Sequence, residues 1–414
     1  MFRNYLITAY KVLLRRKFFS FVNIFGIALT LAVITVVIAM LQNVVQPLGA
    51  EARAENYLGV RDLMITNEEQ TSTSSWAIGY RFLETQVMPL ETPDRIAFFA
   101  EPREGTVFVR GQKVSPRVVR ANHEYWNVLA FDFRDGRPFA NDEVSSASRV
   151  AVINEAMQVA LFDGNPAVGK RFDLDGMTFE VIGVVANEPE TRLDAFGEIW
   201  IPYTATATDG WRKNWIGPFS ALLYAEDRDR LPVIRDEFTA RLETFVHDDP
   251  EEWSIAKATA NSKLEALARE FLDRRFAEDS RVGLFFGAVF AAMVAFMFLP
   301  TINLINLNVS RILERAGEIG VRKAFGASTR TLVGQFLVEN LVLSFVGGIL
   351  GVILGFALLA FIESTGMIAY AQFQFDVGTV LAAFAMIVVF AVLSGLYPAL
   401  RMARMHPVGA LRRG

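Results

Sequence analysis

Four stretches of the chain contain no Lys, Arg, Asp or Glu: 18–50, 282–310, 340–362 and 377–400. Each holds the ~20 apolar residues that a helix needs to cross a hydrocarbon core of about 30 Å. Backbone polar groups in lipid must be satisfied within the segment, so these stretches are predicted to be helices. A core helix of a soluble protein normally keeps a polar stripe, and these show none. Arg15, Arg16 and Lys17 precede the first stretch, like the basic n-region of a signal peptide. Its apolar run, 18–41, is much longer than the ~7–15 residues of such a segment, so it is read as an uncleaved anchor.

Between the first two stretches the pattern changes. Extended apolar runs occur at 96–100, 106–110, 150–153, 179–185, 198–202 and 220–224. Asp175-Gly176, flanked by 171–174 and 177–185, carries the signature of a two-residue hairpin turn. A short helix is predicted after Asn154 as its N-cap, with Ala156, Val159, Ala160 and Leu161 apolar and Asp163-Gly164 as the stop. A longer amphipathic helix is expected over 231–245, burying Ile234, Phe238, Leu242 and Phe245. From Trp253 to Arg281 the apolar positions Leu264, Leu267, Phe271, Leu272 and Phe276 recur at helical spacing, with no Pro or Gly after Ser254. This predicts a helical stalk running on into the second apolar stretch. Strands interleaved with short helices read as α+β.

The fold class expected is a membrane protein: a four-transmembrane-helix all-α membrane domain with a large α+β extracytoplasmic domain inserted between spans 1 and 2. Its divisions are an amphipathic cytoplasmic segment (1–17), span 1 (18–45), the outer domain with its stalk (46–281) and span 2 (282–308). A cytoplasmic loop (309–330), span 3 (331–363), a short external loop (364–377), span 4 (378–400) and a cytoplasmic tail (401–414) complete the chain. Leu6, Ile7, Tyr10, Leu13 and Leu14 fall at helical spacing in the first of these, as in a helix lying in the membrane interface.

Charge sets the orientation. Basic residues crowd the segment before span 1, the loop 309–330 and the tail after span 4, while the loop between spans 3 and 4 has no Lys or Arg. The positive-inside rule puts both termini in the cytoplasm and 46–281 outside a cell (inner) membrane. The overall charge of −4 hides this polarity, because 46–281 holds 27 basic and 40 acidic residues. The inner basic residues are placed to meet anionic headgroups. No basic stripe marks a soluble surface, which argues against a nucleic-acid partner.

Within the spans, Pro300 predicts a kink. Asn303, Asn306 and Asn308 are expected to bond neighbouring helices. Gly347, Gly351 and Gly355 form a small-xxx-small face that lets another helix approach, either within the chain or in a dimer.

Catalytic signatures are scarce. There is no cysteine, hence no disulfide, thiolate or Cys-ligated metal. The three histidines, His123, His247 and His406, lie far apart in sequence. Gly164-Asn-Pro-Ala-Val-Gly169-Lys170 spells most of a phosphate-binding loop, but Arg171 replaces the Ser or Thr that would hold Mg²⁺. That stretch also follows a predicted helix and leads into a strand, the reverse of the required order. No cofactor, metal or catalytic residue is assigned, and no enzyme activity is expected of this chain.

The informative cytoplasmic stretch is 311–328. Arg311 with Glu314, Arg315 with Glu318, and Glu318 with Arg322 are spaced as helical ion pairs. Gly326 is placed to end the helix and Ser328 to cap the next one. Gly317 and Gly320 each cost about 1 kcal/mol relative to Ala in a free helix, a cost offset where a partner must approach closely. On these grounds alone a solvated loop helix and a docking helix remain equally open.

The sequence Arg-x-x-Glu-Ile-Gly-Val-Arg-Lys-Ala-Phe-Gly-Ala-Ser at 315–328 resembles the signature loop of MacB/FtsX-type ABC transporter permeases. Residues 4–26, 150–185 and 397–412 are similar to that family's N-terminus, periplasmic core domain and C-terminus, and the resemblance covers nearly the whole chain. It implies that Arg315, Glu318, Ile319, Gly320, Arg322, Lys323 and Gly326 form a coupling helix docking on a separate ABC ATPase subunit. It further implies a second permease copy or paralogue as dimer partner, and mechanotransmission through the stalk to export or extraction of substrate at the outer face. An outer-face adaptor or hydrolase is a further partner of this kind. The alternative is a transmembrane regulator that gates a periplasmic partner, such as a cell-wall hydrolase or sensor, without transporting a solute.

Overall fold

The computed structural model describes residues 17–69, 71–277, 279–314, 321, 325, 328–373 and 377–403. The chain divides into two compact units. One comprises 1–43, 286–367 and 372–414; the other comprises 44–285 and 368–371.

The first unit is built on the helices Lys17–Val45, Val282–Glu314, Thr329–Thr365 and Val377–Ala403. Ile27, Leu31 and Ile34 of the first, Met297 of the second, and Ile387 and Phe390 of the last form one buried cluster, with Val352 of the third packed against it. All four helices therefore feed a single core. Among the described residues, Ser20–Val45 and Asn340–Thr365 are long and apolar enough to cross a membrane, and Val282–Phe298 and Leu381–Val392 are shorter apolar stretches. Some polar side chains here bond to backbone: Asn340 Nδ2 donates to Ala391 O at 3.1 Å, and Thr301 Oγ1 to Met297 O at 2.7 Å. Such bonds spare a polar group the cost of standing alone in an apolar medium.

The second unit is a mixed sheet. Its strands are β1 (Tyr57–Thr66), β2 (Thr73–Ala77), β3 (Arg95–Glu104), β4 (Val107–Val109), β5 (Gln112–Val114), β6 (Arg117–Ala121) and β7 (Phe133–Gly136). There follow β8 (Val150–Asn154), β9 (Arg171–Leu174), β10 (Met177–Val185), β11 (Ile199–Pro202), β12 (Phe219–Tyr224) and β13 (Ile255–Asn261). The order is β13-β1-β12-β3-β6-β11-β8-β10-β7, with β2 on β1, β9 on β10, and β4-β5 as a separate pair.

Side chains alternate across the sheet, as period-two geometry requires. Phe98 and Ala100 of β3 and Ala221 and Leu223 of β12 enter one cluster, which Ile234 and Phe238 of the helix Leu231–Leu242 cover. Their neighbours Ala97, Phe99 and Leu222 point the other way, into a cluster with Trp126, Phe139 and Trp200. A third cluster lies under the helix Glu155–Phe162 and includes Met157, Phe179 and Ile199.

Local signals in this unit behave as their chemistry dictates. Asn154 Oδ1 accepts from Met157 N at 2.8 Å, capping the helix Glu155–Phe162, and Asp163 (φ 56°) then turns left-handed. Asp175 (φ 51°) and Gly176 (φ 79°) make the β9–β10 turn, both with positive φ as a type I′ hairpin demands.

The stalk is corrected. Residues 255–261 form β13, paired with β1 from Gly59↔Asn261 to Thr66↔Ile255. A capping box at Ser262 and Glu265 then opens a separate helix, Lys263–Phe271. Asp273 (φ 52°) and Arg281 (φ 47°) break the path before the helix Val282–Glu314 starts. The open edge of β1 supplies ladder hydrogen bonds that outweigh the helical preference of 255–261, a tertiary override of local propensity.

Candidate functional site

Arg315, Glu318, Ile319, Gly320, Arg322, Lys323 and Gly326 lie outside the described residues, as do the segments 1–16 and 404–414. Of that stretch the structure describes Val321, Phe325 and Ser328; Phe325 N donates to Val321 O at 3.0 Å, and the Phe325 side chain is exposed.

The three spaced glycines face the first helix of their own chain. A Cβ on Gly347 would lie 2.9 Å from Ile27 Cβ, one on Gly351 2.7 Å from Ala28 O, and one on Gly355 3.0 Å from Thr35 Cβ. The missing side chains thus permit backbone-to-backbone approach along two turns of helix.

In the sheet unit the densest chemistry gathers on the loop 188–198. This loop lies beside the residues that follow the first helix. Ala50 N donates to Glu188 Oε1 at 2.9 Å, and Arg192 Nη1 donates to Gln46 O at 2.6 Å. Glu51 is fully buried; Asp194 N donates to it at 2.7 Å, the Lys263 ammonium meets it, and Arg192 lies 3.9 Å away. Asp194 is buried too, with Arg61 Nη1 at 2.5 Å and Tyr57 OH at 2.9 Å. Two carboxylates and three cations therefore share one interior volume. A charge alone there would be prohibitive, so each is retained only with its partners.

The electrostatics follow from that crowding. Burial pushes the Asp194 carboxyl up, but the Arg61 guanidinium outweighs it and holds the group below the usual range. At Glu51 burial wins over Lys263, and the carboxyl is raised. Burial also pushes Glu188 up to about 7; the Ala50 amide opposes the shift and the Glu51 charge adds to it.

The same loop continues to the segment 368–371 of this unit. Glu190 N donates to Ala369 O at 2.9 Å, and the Tyr370 hydroxyl meets the Glu198 carboxylate. Beside it opens a cavity of about 440 Å³, floored by Phe99 and Ser220 and walled by Arg61, Asp62, Glu190 and Phe196.

Sequence reasoning missed this cluster because charged residues are ordinarily read as a solvated surface. The one available signal was Glu51, an acidic residue that closely follows an apolar run, past Pro47 and Gly49. The near phosphate-loop at 164–170 joins the end of the helix Glu155–Phe162 to β9, and Lys170 rests on the Phe162 ring, 5.1 Å from its centroid. Among the described residues, no group of three or more His, Cys, Asp or Glu is placed to hold a metal.

Comparison with known proteins adds the following. A family model described as FtsX-like permease C-terminal matches residues 290–407, and one described as MacB-like periplasmic core domain matches residues 20–241. The chain is 23% identical over 403 residues to a Bacillus subtilis protein named uncharacterized ABC transporter permease YknZ, covering 96% of each. It is 28% identical over 311 residues to a Photorhabdus laumondii protein named macrolide export ATP-binding/permease protein MacB, covering 72% of this chain and 44% of that one. The chain thus spans under half the length of that relative. The crystal structure of the periplasmic region of MacB from Actinobacillus actinomycetemcomitans matches at 17% identity and TM-score 0.33, covering 45% of this chain and 86% of that one.

Proposed function

Because this chain belongs to the MacB/FtsX-type ABC transporter permeases, a membrane permease family with a periplasmic domain, we propose that it is the non-catalytic transmembrane subunit of such a transporter. In this reading a separate ATPase hydrolyses ATP at the inner face. The 315–328 segment receives the motion and the outer domain uses it to export or extract a substrate. All four helices cross the membrane, both termini are cytoplasmic, and a second permease copy or paralogue completes the assembly.

The observation that carries the reading is one of order along the chain. The FtsX-like match, 290–407, runs from within the helix Val282–Glu314 across 315–328 and through Thr329–Thr365 and Val377–Ala403, and the MacB-like match, 20–241, runs from within the first helix through most of the insertion that follows it. A relative named as a permease alone, matched over 96% of both chains, supports placing the ATPase on another polypeptide. Transmission through one continuous rod is set aside, since the helix Lys263–Phe271 stops before Val282–Glu314 begins. The buried Glu51–Lys263 contact is the better candidate for passing motion between the two ends of the outer domain.

The test is ATPase pull-down with Glu318 and Arg322 changed together. Loss of the ATPase from a normally inserted protein is the expected result; undiminished association defeats the coupling assignment. Topology is checked separately by single cysteines at Asp209 and Phe325, both exposed, in a chain that has no native cysteine. The first should react in intact cells and the second only after permeabilisation.

A further inference from the structure

The cavity beside the loop 188–198 has more to it than its position. Its apolar part is Phe99 and Phe196, both buried, and Leu193, which stands 55% exposed at the rim. Its polar part is a set of charges that are nearly all spoken for. Arg61 is held by Asp194 at 2.5 Å, Arg275 by Asp62 at 3.4 Å and Glu270 at 3.7 Å, and Arg117 by Glu104 at 3.7 Å. Arg269 donates to Ala277 O. Two polar groups are left over. Glu101 is exposed and its carboxylate has no ion pair or hydrogen bond among the described residues; the Asp62 charge lies near it, as do those of Arg61 and Arg275. Ser220 is only 2% exposed, lines the floor, and its hydroxyl bonds to no described residue.

An unpaired carboxylate at the mouth, an unpartnered hydroxyl on the floor and an aromatic wall between them define a complementary shape. We propose that this cavity is a binding site for a compact organic cation: a primary or secondary ammonium that pairs with Glu101, on an apolar body that lies against Phe99, Phe196 and Leu193. The volume, about 440 Å³, lies within the ~300–1,000 Å³ typical of small-molecule sites. An anion is disfavoured because each arginine here already has an acceptor. A neutral apolar molecule would make no use of the exposed Glu101 carboxylate. The site lies wholly within the sheet unit and stands independently of the coupling to any ATPase.

The full chain in lipid nanodiscs is titrated with dansylcadaverine, a primary ammonium on an aromatic body, and with neutral dansylamide, empty nanodiscs being subtracted. The expected result is saturable binding of dansylcadaverine that Glu101→Gln weakens by about tenfold, as for loss of one charge-assisted hydrogen bond, and weak dansylamide binding that the change leaves untouched. Leu193→Ser, at an exposed position, should weaken both probes. Equal binding of the two probes, or dansylcadaverine binding indifferent to Glu101→Gln in a protein with unchanged thermal midpoint, overturns the proposal. So does the absence of saturable binding.

Discussion

The ammonium of Lys263 meets the carboxylate of Glu51 across 212 positions of sequence, and both side chains are sealed from solvent. Removing one partner of such a pair leaves the other buried and unanswered. Lys263→Met should therefore destabilise the sheet unit by about 3–5 kcal/mol. Glu51 is already raised by burial, so without the ammonium it protonates more readily, and the loss should be larger at pH 8 than at pH 5. Joint replacement of Glu51→Gln with Lys263→Met should cost less than the sum of the two changes. Chemical denaturation of the detergent-solubilised protein at both pH values measures all three.

Glu188 titrates near neutrality, at about 7 against an ordinary 4.5. A carboxyl raised in the folded state binds more protons folded than unfolded between those values. Stability is then lost as pH climbs through the window from 4.5 to about 7. Glu188→Gln removes this term. The variant should gain thermal midpoint over the parent at pH 8 and not at pH 4, and a parallel pair of pH curves would contradict the assignment.

At Gly351 a Cβ would lie 2.7 Å from Ala28 O and 2.9 Å from Leu31 Cβ. Gly351→Val must separate the two helices, at a cost of about 1–3 kcal/mol. Gly287 meets nothing within 4 Å, so Gly287→Ala should be neutral or stabilise by up to about 1 kcal/mol through helix propensity. SDS titration followed by circular dichroism separates the two outcomes.

The cap at Asn154 offers a smaller test. Asn154→Ala deletes the acceptor for Met157 N and should cost about 1 kcal/mol in the unfolding free energy of the sheet unit.

Local chemistry made much of this fold readable. Asp175-Gly176 could serve a tight hairpin because a left-handed pair was needed there, and Asn154 could cap because its side chain reaches its own backbone. The strands β3, β8, β10 and β12 carry apolar runs that the eye separates from helix. β1 and β13 were not legible. In β13 the apolar positions fit either period, and the strand exists because β1 presents an edge to it, a fact about residues 189 to 202 positions away in the chain that no local window contains. The charged cluster was hidden for a related reason. Arg61, Glu51, Asp194 and Lys263 each look like surface residues, and only their convergence makes burial tolerable. The cavity, built from β1, β3, β6, β12, β13, the helix Lys263–Phe271, the segment 190–196 and Arg275, is likewise a product of tertiary assembly.

β1 and β13 run antiparallel with Gly59 opposite Asn261, so the first strand begins where the last one finishes. Tension drawn through those two ends would peel the ladder open one rung at a time, the weakest way to load it, rather than shear all rungs together. Glu51 precedes β1 and Lys263 follows β13, which puts their contact outboard of the first rung. It is the clasp that must part before the zipper can start.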